Sequence, residues 1–277
     1  MRAALGWLWR GAALGLFAFA IFGPLANLAL WAVALQWYFP HKLPLTYGLR
    51  YWGEVFKPTS DAFASLGASV VIAVLSAAIG GYLVLGTSPA TVAALKWLYR
   101  WPLFVPFIVA AQCMRTFLAK NGMLNNTLDA LGVIEAGQLS GLLDWRGIIV
   151  TFVWKETPFV TLLVAGAMAA LDRATIEAAR NLGASGVRIL VEIILPQVAG
   201  AMLVGLILAF VTMLSVLSVP IMLSGGSPTM ITVDMAFRVN SYSDYGVANA
   251  LGLVSYAMAA GAAWIYVRRG MGPAGAA

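Results

Sequence analysis

Residues 172–196 read DRATIEAARNLGASGVRILVEIILP, a charged stretch set between two apolar segments near 147–171 and 195–217. Thr175 is placed to cap a short helix opening at Ile176, with Glu177 in the first turn, where a carboxylate suits the helix dipole. Ala178 and Ala179 are strong helix formers. Gly183 provides a stop, because it tolerates the left-handed conformation that ends many helices. A second apolar-periodic piece follows (Val187, Leu190, Val191, Ile194), and Pro196 is expected to reset the chain. The prediction is a pair of short helices over 175–194, folded back at Gly183. They lie outside the lipid core, so their apolar faces need protein to dock on.

The chain around this stretch is 61% hydrophobic and only 10% charged, whereas ordinary soluble domains carry roughly 25% charged residues. A soluble fold of this length has no core large enough for so much apolar surface. Lipid is therefore the expected solvent. A membrane span takes roughly 20 mostly apolar residues. Six such segments are predicted, at 11–37, 62–86, 97–118, 147–171, 195–217 and 247–267. Kinks are expected at Pro24 and Pro106. Arg2 and Arg10 resemble the basic start of a signal peptide, but the first apolar segment exceeds a signal core of about 7–15 residues and reads as a retained helix. Trp and Tyr gather at several segment ends, as interfacial belts do. The fold class predicted is all-α, a polytopic membrane protein of about six spans forming one transmembrane domain over 1–277.

Orientation follows from the basic residues. With the amino terminus inside, nine fall in inner segments (Arg2, Arg10, Lys96, Arg100, Arg173, Arg180, Arg188, Arg268, Arg269) and six in outer ones (Lys42, Arg50, Lys57, Lys120, Arg146, Arg238). Both termini are expected in the cytoplasm. The net charge of +6 sits at segment ends without basic runs interleaved with aromatics, which argues against nucleic acid.

Three ionisable residues fall within or near the predicted spans: Arg115, Lys155 and Glu156. Each costs about 2.5–3.5 kcal/mol on insertion scales, and such groups usually face a partner or a water-filled path. Lining of a pathway and structural pairing are both open for Lys155 and Glu156, while Arg115 suits the outer interface. His41, the one histidine, has no companion for a metal site, and Cys113, the one cysteine, has no disulfide partner. Gly225-Gly226-Ser227-Pro228 reads as turn chemistry, and Gly80-Gly81, Gly200 and Gly205 as close helix packing. No nucleophile with its base is apparent, so no catalytic chemistry is expected in this chain.

Glu177-Ala178-Ala179, Gly183, Ile193 and Leu195-Pro196 resemble the coupling motif of binding-protein-dependent ABC importer permeases. That pattern is Glu-Ala-Ala, three residues, Gly, nine residues, Ile, one residue, Leu-Pro, and every element matches here. Many relatives carry Pro five positions before the Glu, where this chain has Asp172. Weaker likenesses lie at Thr157-Pro158-Phe159, at Leu223–Ser227 and at Asp244–Leu251. The resemblance implies the type I importer permease fold in an inner membrane. It also implies a cytoplasmic ATPase dimer that binds ATP and Mg, with no cofactor in this chain. A second permease subunit, identical or different with a different one preferred, and an extracytoplasmic solute-binding protein complete the implied assembly. In it Glu177 makes the charged contact to the ATPase, Ala178 and Ala179 pack closely, and Gly183 makes the turn. The short form is most similar to permeases for polyamines, ferric iron, thiamine, phosphonates and sulfate, ahead of sugar permeases. An ion-coupled secondary carrier is the alternative, and it gives no reason for the motif.

Overall fold

The computed structural model describes residues 2–36, 43–55, 71, 75, 78–79, 82, 85, 88–133, 141–224 and 230–270. Four helical stretches are long and apolar enough to cross a membrane: Leu14–Val33, Trp145–Ala169, Gly186–Ser215 and Tyr245–Ile265. A fifth arises if the bent pair Pro89–Phe104 and Phe107–Ala130 is one span. Most of the predicted span 62–86 lies outside the described residues, as do Gly80-Gly81, His41 and 225–228. The chain divides into two units, residues 1–59 with 234–258 and residues 60–233 with 259–277.

In the first unit the amino-terminal helix runs Arg2–Val33 with Pro24 inside it. It stops four residues short of the predicted boundary at Trp37. There the chain enters a strand, Ala34–Gln36, that pairs antiparallel with Thr46–Tyr47, a small β element absent from the all-α prediction. Exposed Leu14, Leu16, Phe17, Phe19 and Phe22 give the helix a surface suited to lipid. The unit also holds the charged turn before the last helix. Arg238 pairs with Asp234 at 3.0 Å and with Asp244 at 3.3 Å. Asp244 additionally accepts from the Val247 amide (3.2 Å), capping the helix Tyr245–Gly270.

The second unit is organised around the helix Trp145–Ala169, capped by Asp144, whose carboxylate accepts from the Arg146 amide at 2.8 Å. Its Ile148, Phe152, Val160, Val164 and Met168 form a buried cluster with Val198, Ala209 and Met213 of the neighbouring long helix. The two backbones approach closely at Gly205, where an added Cβ would lie 3.2 Å from Val160 and 3.3 Å from Leu163. Small residues permit such contact where apolar burial alone gives no driving force. The same expectation fails at Gly200, where a Cβ would meet nothing within 4 Å.

Two predicted elements change form. The segment 97–118 is broken, its two halves meeting at 105°. A 3₁₀ turn, Trp101–Phe104, is followed by extended Val105 (φ −87°, ψ 120°) and Pro106, which caps the helix Phe107–Leu118. Proline pushes the residue before it out of the helical region, and its own missing N–H prevents the ladder from continuing. Pro196, conversely, does not reset the chain. Helix runs from Gly186 to Ser215 because a π-helical turn, Leu190–Ile194, precedes the proline and widens the backbone where its ring would clash.

Candidate functional site

The segment 172–196 folds from its own sequence with three local devices. Asp172 is the N-cap of the helix Arg173–Asn181, its Oδ1 accepting from the Ala174 amide at 3.0 Å. The helix thus opens three residues earlier than the predicted Thr175 cap. An Asx side chain satisfies an orphan first-turn donor better than threonine does, and Asp172 lies at the end of the span, where the chain must turn. At the other end Gly183 takes φ 81°, its amide donates to Arg180 (2.9 Å), and the Ala184 amide donates to Ala179 (3.0 Å). These two bonds are the 5→2 and 6→1 pair of a Schellman stop. Ser185 then caps the next helix, accepting from the Arg188 amide at 3.3 Å.

The two short pieces are anchored from within. Ile176 and Ile189 are buried in the same cluster as Met168, Ile194 and Val198. Each such side chain removed from water contributes about 1.5–3 kcal/mol, so the fold-back is held by packing. The Arg180 guanidinium donates to the Leu85 carbonyl at 3.0 Å, tying the helix to the end of a second segment. Motif residues divide between two faces. Ala179, Ile193 and Leu195 pack on the core, whereas Glu177, Ala178, Gly183 and Pro196 are exposed. The pair Ala178-Ala179, predicted to pack together on a partner, is therefore split. Leu182 is 89% exposed and Val187 73%, one on either side of Gly183 in sequence, and Glu177 is exposed as well. The pair Arg188–Glu192 (2.9 Å) lies on this surface too, and exposed i,i+4 pairs contribute only about 0.3–0.5 kcal/mol.

Within the span Trp145–Ala169, Lys155 is buried, and its ammonium donates to the carbonyls of Pro102 (2.7 Å) and Leu103 (3.2 Å) while lying 5.1 Å from the Phe107 ring centroid. At the break the Pro102 carbonyl also accepts from the Val105 amide (3.3 Å), and the lysine adds a charged donor to it and to Leu103. Glu156 is 5% exposed, and among the described residues no hydrogen bond or ion pair reaches its carboxylate. Arg115 lies exposed in the last turn of Phe107–Leu118. The three charges therefore do not converge on one site. Asp172, Arg180, Leu182 and Val187 were not singled out as functional from sequence. Asp172 carried a signal, being an Asx residue just before strong helix formers. The role of Arg180 depends on a contact 95 residues away.

No cluster of three or more His, Cys, Asp or Glu side chains that could hold a metal occurs among the described residues. The geometry is that of a transmembrane bundle carrying a capped, core-anchored surface hinge. In fold it is similar to a chain in the crystal structure of a bacterial alginate ABC transporter in complex with an alginate pentasaccharide-bound periplasmic protein. The two share 18% identity and a TM-score of 0.67, over 94% of this chain and 92% of that one. In sequence it is 27% identical over 226 residues to the trehalose/maltose transport system permease protein MalF of Thermococcus litoralis, covering 80% of this chain and 75% of that protein. It is also 27% identical over 133 residues to the spermidine/putrescine transport system permease protein PotB of Escherichia coli, covering 47% and 48%. The preference for polyamine-type over sugar permeases finds no support in this, since the identity is the same and the trehalose/maltose permease matches over the larger share of the chain. Residues 88–267 match the model of binding-protein-dependent transport system inner membrane components. That match takes in the bent pair, the core helices, the segment 172–196 and most of the last helix, and the chain belongs to that family as a multi-pass permease subunit of an ABC importer.

Proposed function

We propose that the hinge 172–196 is the surface through which a separate cytoplasmic ATPase drives this permease. The observation that carries the reading is the two-sidedness of the hinge. Ile176 and Ile189 lock it into the buried core, while Glu177, Leu182 and Val187 are exposed. A rigid, core-anchored element with an unpartnered apolar tip and a carboxylate transmits force from whatever docks on it. In this reading ATP and Mg belong to the partner chain, and this chain performs no hydrolysis. Both termini lie in the cytoplasm on the same side as the hinge. A second permease subunit completes the pathway and an extracytoplasmic binding protein delivers the solute. The relatives' names place sugars and polyamines among the solutes to screen against that binding protein.

The test is co-purification of the full chain with its cognate ATPase. Leu182→Asp and Glu177→Lys are expected to lose the ATPase while melting at the wild-type temperature, because both side chains are exposed. Undiminished ATPase binding by both variants, or ATP-independent solute uptake by vesicles holding this chain alone, overturns the reading. The second result would point to a secondary carrier.

A further inference from the structure

Beside the hinge lies a cavity of about 330 Å³, framed by the end of the helix Pro89–Leu98, the last turns of Trp145–Ala169 and the start of Arg173–Asn181. Three cations line it, Lys96, Arg100 and Arg173, and no carboxylate does. Among the described residues none of the three has an ion pair. The carboxylate of the adjacent Asp172 accepts from the Ala174 amide, and the Arg100 guanidinium donates to the Tyr99 hydroxyl at 3.4 Å. The volume falls within the roughly 300–1,000 Å³ typical of small-ligand sites. Three cations around one concavity with no carboxylate in its lining attract an anion.

A second concavity of about 240 Å³ adjoins it and is lined by Lys96 and Arg100 again, together with Trp97, Trp101 and Phe104. Trp97 and Trp101 meet edge to face at 5.1 Å, and Phe104 is 80% exposed. The same two cations thus form the border between a charged hollow and an aromatic groove. A soluble anion has no use for the groove. An amphiphile has use for both halves, and tryptophans at a span end mark the headgroup level of a bilayer.

We propose that the cavity binds the phosphate headgroup of an anionic phospholipid, with Lys96, Arg100 and Arg173 on the phosphate and an acyl chain along Trp97, Trp101 and Phe104. Its placement in the inner leaflet rests on the orientation proposed above. Because Arg173 opens the coupling helix and Ile176 also lines the cavity, a bound lipid steadies the hinge.

The proposal is tested by titrating the delipidated full chain in detergent with fluorescent phosphatidylglycerol and phosphatidylcholine. The anionic lipid is expected to bind more tightly. Each cation replaced by Gln should weaken that preference about fivefold, and Lys96→Gln/Arg100→Gln/Arg173→Gln together on the order of 100-fold. Gly166→Leu fills the cavity with all charges retained and is expected to lose the preference as well, since a Cβ at Gly166 meets open space. Lys120→Gln/Arg146→Gln is the control that keeps it. An unchanged preference in the triple variant, or displacement of the lipid by inorganic phosphate, overturns the proposal. Leaflet is read separately by labelling Asn181→Cys in a Cys113→Ser background from each side of oriented vesicles. Labelling from the outer side overturns the coupling-face orientation and the inner-leaflet placement without touching the lipid preference.

Discussion

Replacing Lys155 by Met keeps the length and bulk of the side chain and removes only its charge, so it isolates what the ammonium does. Two carbonyl acceptors at 2.7 and 3.2 Å lose their charged donor, Pro102 keeping only the longer bond from the Val105 amide. Hydrogen bonds to charged groups contribute about 1.5–3 kcal/mol each, and the longer of the two belongs at the low end. Losing the contact with the Phe107 ring adds about 0.5–1 kcal/mol. Against this, the variant no longer holds a charge in the membrane. The net loss is about 3 kcal/mol, which for a chain of this size lowers the melting temperature by roughly 6–12 °C. Thermal unfolding of the purified full chain, followed by tryptophan fluorescence, measures it. Glu156→Gln serves as the adjacent contrast. Its carboxylate is buried with no bonding partner among the described residues, so neutralising it relieves a desolvation cost and leaves the melting temperature equal or higher. Equal melting of Lys155→Met and wild type refutes the reasoning, as does a Glu156→Gln variant that melts lower than Lys155→Met.

Three further outcomes follow from the hinge and the core. Gly183→Val forces a β-branched residue into φ 81° at a cost of about 1–2 kcal/mol, whereas Gly183→Asn tolerates it, so ATPase-coupled uptake should fall in the first and largely survive in the second. Asp172→Ala removes the cap and about 1 kcal/mol of helix stability. Hydrogen exchange should then rise in 173–181 while the spans stay protected. Gly205→Leu drives a side chain into Val160 and Leu163, an overpacking cost of about 1–3 kcal/mol read as lower thermal stability, while Gly200→Leu, facing open space, should cost far less.

The hydropathy of the chain and the spacing from Glu177 to Pro196 carry most of the architecture, because both depend on residues near in sequence. Gly183 in the left-handed conformation was foreseeable for the same reason. What escaped the sequence depends on partners far along the chain. Lys155 finds its acceptors 53 and 52 residues away, so a buried pair and a pathway residue looked alike. Lys96, Arg100 and Arg173 read as topology signals until folding drew them around one hollow. The two prolines show a different limit. Pro106 and Pro196 each lack the same donor, yet one ends a helix and the other rides within one. A wide turn is available to the second, and composition does not announce it.

That wide turn has a mechanical meaning. Successive residues of an α-helix advance by about 100°, so a π turn with its additional residue shifts the phase of everything beyond it by about that angle. The exposed tip near Val187 and the helix from Leu195 onward are therefore two gears on one shaft, keyed at an offset that Leu190–Ile194 sets. Deleting one residue there would leave hinge and span each well formed but rotated out of step. In the coupling role proposed above, that offset fixes how a movement at the exposed tip passes into the span.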